Sequence, residues 1–375
     1  MLLFFIMIKN LKNLPVPTKV IFGSGSFGKL NEIVSEFEPK NVLIVTGKTT
    51  MNRLGSYLKL DKNFIVFNEV EPNPSLKTVE KGLDLCKKKK CDVVIGIGGG
   101  SPLDVGKIIA VLTNNKGSLR DYFYKRVCFS KKGLPFIAVP TTAGTGSEVT
   151  SASVLTDKKK KDAISHEYMF PCVAIVDPEL TMSMPRDLTA ITGFDALAHG
   201  IEAYWSKKSN PKSDIYALKT IKLVYENFLK ACDNPNNLRY REKMSLASLY
   251  AGVAIANAGT NVMHSVSYPL TTFYNIPHGL ACALTTIEFM KFNSKSAKRK
   301  LLDIAKSTGA RSIEDGIKNI ENLFKKTGLV RPLRYYGVKK NDIEKIAKAG
   351  VTPRIKNNPA EVNEKDIEEI LRKIW

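Results

Sequence analysis

The chain has 375 residues, 43% hydrophobic and 25% charged, with a formal net charge of +21. That length accommodates two domains with full cores, and the balance is that of a globular chain rather than a disordered or collagen-like one. The excess of lysine is spread along the chain, with short runs only at 87–90 and 158–161 and no zinc-finger or helix-turn-helix spacing, so a nucleic-acid partner is not expected.

The six cysteines (Cys86, Cys91, Cys128, Cys172, Cys232, Cys282) form no Cys-x-x-Cys pair, which fits a reducing, cytoplasmic setting. No apolar run approaches the ~20 residues that span a bilayer, so no membrane partner is expected. Residues 1–8 lack a basic start and a small-residue cleavage site, and are expected to be an edge strand or an over-extended start rather than a signal peptide.

Lys19–Phe22 is a short apolar strand leading into Gly23-Ser-Gly-Ser-Phe-Gly28, a literal G-x-G-x-x-G. A dinucleotide fingerprint wants an acidic residue about 20 positions further on, at the end of the second strand. The second strand, Asn41–Thr46, runs instead into Gly47, Lys48, Thr49 and Thr50, so the first glycines are expected to make a tight turn before a helix near Leu30–Phe37. Asn63–Phe67 is a third strand, and Glu71–Pro74 opens a helix reaching about Lys90.

Asp92–Ile97 is a buried-type strand feeding Gly98-Gly-Gly-Ser101 and a helix from Pro102 to Leu112. Glycines before a helix whose first turn holds proline suit a phosphate site, because bare N–H groups and the positive helix end face the anion. Leu134–Val139 repeats the pattern ahead of a Gly- and hydroxyl-rich loop, Pro140–Ser147. Ser151–Thr156 and Val173–Asp177 complete the strands, with a Lys-rich turn between them. Strands alternating with helices imply an α/β domain with a mostly parallel, dinucleotide-binding sheet.

Beyond Asp177-Pro178 helical periodicity takes over, with stop signals at Asp233–Pro235 and Gly328, so an all-α domain is expected. The division is read as 1–182 and 183–375. Gly193–Tyr204 reads as a helix with Ile191, Phe194, Leu197, Ile201 and Tyr204 on one stripe. Asp195 and His199, at i and i+4, leave one face of it. His264 and His278 follow in apolar surroundings; one carboxylate and three imidazoles suit Fe(II) or Zn(II) and are too nitrogen-rich for Mg or Ca.

These segments together resemble the iron-containing (group III) alcohol dehydrogenases over roughly residues 17–290. The resemblance is carried by GGGSPLDVGK at 98–107, PTTAGTGSEVT at 140–150, DPEL at 177–180, GFDALAH at 193–199 and the His264–His278 segment. It implies a metal-dependent NAD(P)-linked alcohol dehydrogenase or aldehyde reductase, with Asp195, His199, His264 and His278 as metal ligands in a cleft between the domains. Cofactor contacts carried over are Gly98, Gly99, Ser101, Asp104, Thr141, Thr142, Thr145 and Ser147, and Lys161, ten residues before Pro171. A homodimer acting on a small alcohol or aldehyde is expected.

Two positions depart from the family pattern. Where many relatives have a further histidine, this chain has Tyr268, the candidate catalytic residue; tyrosine donates a hydrogen bond but ionises near ~10, which makes it a poor proton shuttle. Where NAD-preferring relatives often carry aspartate, this chain has Gly47, and Lys48, Thr49 and Thr50 beside it offer a cation and hydroxyls to a 2′-phosphate. A preference for NADP(H) over NAD(H) is therefore expected, with Gly47 and Thr49 among the contacts.

Residues 203–206, 267–271 and 277–282 resemble a branch that reduces phosphonoacetaldehyde to 2-hydroxyethylphosphonate, and Arg239 and Arg241 are candidate partners of the acid group. The alternatives are a general short-chain enzyme of butanol or lactaldehyde type, and a glycerol-dehydrogenase or dehydroquinate-synthase-like enzyme.

Overall fold

The computed structural model describes residues 9–11, 13–54, 61 and 63–375; the expectation for residues 1–8 lies outside them. The chain forms two compact units. One comprises the chain up to Thr142 together with Ser147–Thr181, and the other comprises Ala143–Gly146 and Met182–Trp375.

The first unit is built on a seven-stranded sheet. Its strands are β1 (Lys9–Leu11), β2 (Lys19–Phe22), β3 (Asn41–Val45), β4 (Asn63–Phe67), β5 (Val93–Gly98), β6 (Phe136–Pro140) and β9 (Val173–Val176), in the order β1-β2-β9-β6-β5-β3-β4. All neighbours pair in parallel except β1 with β2. Alternation along β3 sends Leu43 and Val45 to one apolar cluster and Val42 and Ile44 to another, so both faces of the sheet are covered. The helices are α1 (Leu30–Ser35), α2 (Lys48–Leu54), α3 (Leu76–Lys88), α4 (Gly100–Thr113) and α5 (Leu119–Phe123).

Two expectations need correction here. Ser151–Thr156 does not join the main sheet: β7 (Ala152–Asp157) pairs antiparallel with β8 (Lys160–Ser165) as a separate hairpin. The Lys-rich run is only partly a turn, with Lys158 at φ 56° and Lys160 and Lys161 already in β8. Alternating burial along β7 marks a strand with one covered face, unlike the wholly buried β5, β6 and β9.

The second unit is helical: α6 (Arg186–Trp205), α7 (Pro211–Asp233), α8 (Leu238–Ala258), α9 (Val262–Tyr274), α10 (His278–Phe292), α11 (Lys298–Ser307), α12 (Ile313–Lys325), α13 (Ile343–Gly350) and α14 (Glu364–Lys373). α6 is buried on every side from Phe194 to Trp205, so the apolar stripe expected on it is one part of a helix enclosed by its neighbours. Close packing requires its glycines: a Cβ on Gly193 would lie 2.4 Å from the Phe228 ring. Asn210 caps α7 in a capping box with Ser213 and Pro211 at the first turn. Asn275, at φ 55°, ends α9 in the left-handed region and lets the chain turn into α10, whose first residue is His278.

Candidate metal centre and cofactor edge

α6 presents Asp195, His199 and Glu202 at i, i+4 and i+7, on one face. The first turn of α9 brings His264, and the start of α10 brings His278. Their Nε2 atoms converge on one oxygen: Asp195 Oδ1 is 3.6 Å from His264, 3.6 Å from His278 and 3.9 Å from His199. These separations are too long for hydrogen bonds. They approach the edge of roughly 3.4 Å expected between ligands placed about 2.1 Å from a tetrahedral ion. Asp195 Oδ1 and His264 Nε2 are buried with no hydrogen-bond partner among the described residues. Buried polar atoms are rarely left so, and a cation is the group that satisfies both.

The far side of each imidazole fixes its tautomer. His264 Nδ1 lies 2.6 Å from Glu202 Oε2, and that carboxylate also accepts from Asn261 N at 2.8 Å and from Met263 N. Ser267 donates its proton to His264 O at 2.8 Å, so its oxygen accepts from His278 Nδ1 at 3.1 Å. His199 Nδ1 faces Gly144 O at 3.4 Å. Three Nδ1 atoms thus meet acceptors, which leaves three Nε2 lone pairs turned towards Asp195, the usual support of metal-bound histidine.

Charge follows the same plan. Burial raises the Asp195 carboxyl, but His199, His278 and His264 outweigh it and hold it well below the usual carboxylate range. Burial pushes the His199 imidazole down to about 4 against the pull of Asp195. At neutral pH Asp195 is ionised and His199 neutral, the forms a metal requires. His264 departs from this plan: burial opposes its charge, but Cys282, Glu202 and Asp195 raise it well above its ordinary value, so a cation bound there has to displace its proton.

Two residues were not anticipated from the sequence. Glu202 is fully buried and orients His264; its spacing on α6 was the available signal. Cys282 lies one turn beyond His278 on α10, and its Sγ is within 4.8 Å of donor atoms of Asp195, His264 and His278. Tyr268 is buried with its ring 5.7 Å from that of His278. The fourth histidine, His166, caps a turn by accepting from Tyr168 N at 3.2 Å.

In the first unit, β4 lies on one side of β3 and β5 on the other, so the chain reverses direction across the sheet at β3/β5. Ligands of open α/β sheets bind beyond the carboxyl ends of strands at such a point. Gly47 and Thr49 follow β3, Gly98 ends β5 and Gly99 and Ser101 follow it, and Thr141 and Thr142 follow β6. Gly98, at φ 151°, turns the chain into α4, whose N-cap Gly99 offers no side-chain cap, so the helix amides are presented to an anion. Thr141 N donates to Gly98 O at 2.8 Å, tying the two loops.

Asp104 and Ser147 are placed differently. Both are buried: Ser147 Oγ donates to Asp104 Oδ1 at 2.7 Å, Val154 N donates to Asp104 Oδ2 at 2.9 Å, and Lys107 Nζ donates to Ser147 Oγ and to Ala152 O, each at 2.8 Å. Lys161 donates to Asn73 Oδ1 at 2.8 Å from the hairpin. Thr145 groups with the helical unit. The G-x-G-x-x-G turn holds an anion of the chain itself, for Gly25 N and Phe27 N donate to the Asp177 carboxylate at 3.2 and 2.9 Å.

Of the two acid-group candidates, Arg241 has its guanidinium engaged within the fold. It is buried and donates to Pro235 O, Thr189 Oγ1 and Met184 O, pinning the start of α8 to α6, while Arg239 is exposed on the first turn of α8.

Family models for iron-containing alcohol dehydrogenase match residues 17–178, and for the C-terminal part of that family, residues 189–375. The chain is 35% identical over 365 residues to long-chain-alcohol dehydrogenase 1 of Geobacillus thermodenitrificans, covering 92% of each chain. Among solved structures it is similar to a 1,3-propanediol oxidoreductase (33% identity, TM-score 0.91, 98% of this chain and 100% of that one). It is also similar to sulfoacetaldehyde reductase from Bifidobacterium kashiwanohense in complex with NAD+ (33% identity, TM-score 0.91, 96% and 98%).

Proposed function

The chain belongs to the iron-containing alcohol dehydrogenases, oxidoreductases that interconvert small alcohols and aldehydes with a nicotinamide cofactor, and we propose that Asp195, His199, His264 and His278 are the ligands of its metal. The observation that carries this is the convergence of three Nε2 atoms on Asp195 Oδ1 with every Nδ1 backed by an acceptor. Iron is the resident ion of the proposal, and zinc suits the same donors. When bound, such an ion acts as a Lewis acid towards the substrate oxygen. Glu202, Ser267 and Gly144 hold the imidazoles in place, and Tyr268 walls the site beside His278.

Residues 1–182 bind the cofactor in this reading, with Gly98–Ser101 at the pyrophosphate, and residues 183–375 carry the metal. Asp104, Ser147 and Lys107 act by bracing α4 against the hairpin. The cysteines are all free thiols, which supports a cytoplasmic setting. His264→Ala or His278→Ala should remove both bound metal and aldehyde reduction, read by metal analysis and NAD(P)H oxidation. A metal-free variant with full turnover would overturn the assignment.

NADP(H) is the preferred cofactor in this proposal, supported by Gly47 beside Lys48 and Thr49 at the end of β3. Wild-type kcat/KM should favour NADPH, and Gly47→Asp should move the ratio towards NADH. Because a Cβ there lies 3.1 Å from Val70 O, Lys48→Ala is measured in parallel and should lower the same ratio. Equal kcat/KM for both cofactors in the wild type defeats the claim.

The substrate we propose is a short aldehyde bearing an acid group, phosphonoacetaldehyde in the first instance. The branch-like segments support it, as does the similarity to a sulfoacetaldehyde reductase.

A further inference from the structure

We infer that Arg354 is the residue that binds the acid group of the substrate. The inference rests on the acidic-aldehyde reading above and names the side chain that recognises the acid.

Exposure identifies the approachable side of the cluster. Asp195 and His264 have side chains 5% and 3% exposed, whereas His278 is 25% exposed. Tyr268 adjoins His278 on that rim, and the Arg354 guanidinium carbon lies 4.9 Å from the centre of the Tyr268 ring. Among the described cations stacked on aromatic rings, Arg354 is the one whose ring adjoins a cluster histidine.

The segment bearing Arg354 is fixed to the helix that carries His264. Thr352 Oγ1 accepts from Arg354 N at 3.3 Å and pairs with Ser265 Oγ at 2.7 Å, next to His264. Asn357 donates to Thr260 O at 3.1 Å, and the buried Asn358 exchanges hydrogen bonds with Asn293 at 3.0 and 2.8 Å. A cation carried on so constrained a turn is positioned before substrate arrives, which spares the ordering cost of recruiting a mobile side chain.

The chemistry agrees. Stacking engages the face of a guanidinium, whereas its N–H edge forms the planar fork that matches two oxygens of a sulfonate or phosphonate. Tyr268 is the step between His278 and Arg354: its ring centre lies 5.7 Å from that of His278 and 4.9 Å from the Arg354 guanidinium carbon. One end of the substrate would sit among the metal ligands and the other at Arg354.

The test compares metal-loaded wild type, Arg354→Gln and Arg354→Lys, with kcat and KM for sulfoacetaldehyde, phosphonoacetaldehyde and propanal. The ratio of kcat/KM for acid to neutral aldehyde, taken on one preparation, is independent of the fraction folded. It should fall roughly 30-fold in the Gln variant, chiefly through KM, and recover in part in the Lys variant. The two acid arms show whether sulfonate or phosphonate is the better fit. A ratio unchanged in Arg354→Gln overturns the assignment, as does an Arg354→Lys ratio no higher than that of Arg354→Gln. Wild type with no advantage for either acid over propanal removes the acidic-aldehyde reading itself, and the assignment with it.

Discussion

Glu202 stands behind a proposed ligand and orients it. Its carboxylate accepts hydrogen bonds from His264 Nδ1 and from two backbone amides of the α9 entry, so it sets one imidazole's tautomer and anchors the turn that carries it. Glu202→Gln keeps the shape but replaces the charge, and an amide oriented to accept from Nδ1 no longer stabilises a polarised imidazole. Metal affinity should fall about 10- to 100-fold, as for other losses of support behind a metal-bound histidine. Competition with a chromophoric chelator measures it, with circular dichroism confirming the fold; an unchanged affinity would mean that Glu202 serves α9 alone.

At the scale of elements, α6 is the member on which the helical unit depends. Its Gly193 and Gly200 allow α7 to pack closely: a Cβ on Gly193 meets the Phe228 ring at 2.4 Å, and one on Gly200 meets Thr220 Cγ2 at 3.0 Å. Alanine is favoured over glycine within a helix by about 1 kcal/mol. Overpacking of a filled core costs typically ~1–3 kcal/mol, so the clash at Gly193 should win. Gly193→Ala should therefore lower Tm and the denaturation midpoint and, because Asp195 lies two residues on, weaken metal binding as well. A variant as stable as wild type would show that Phe228 moves aside without cost.

On the scale of the whole molecule, 57 basic residues against 36 acidic ones surround any approaching anion with net positive charge. Such a field raises the encounter rate of anionic ligands and weakens as salt shortens the screening length from ~10 Å at 0.1 M. The kcat/KM for an acidic aldehyde should fall as ionic strength rises, while that for propanal stays level. Parallel salt series on the two substrates check this, and identical curves would show that the surplus lysine does not act on the substrate.

The sequence by itself determined the class of each half and the chemistry of the proposed metal donors. Period-two and period-3.6 patterns are local, and so are the i, i+4 spacing of Asp195 and His199 and the glycine turn into α4. It did not determine what depends on residues distant in sequence. The glycines at 23–28 read as a tight turn, but nothing local shows that Asp177, some 150 residues later, fills their amides. Asp104 and Ser147, expected as cofactor contacts, also pair with each other, which no local pattern signals. Arg354 over Tyr268 has no local signal, because α9 and the 353–357 turn meet only through tertiary packing. Side-chain type fixes which partners a group accepts, but only the packed chain decides which partner comes within reach.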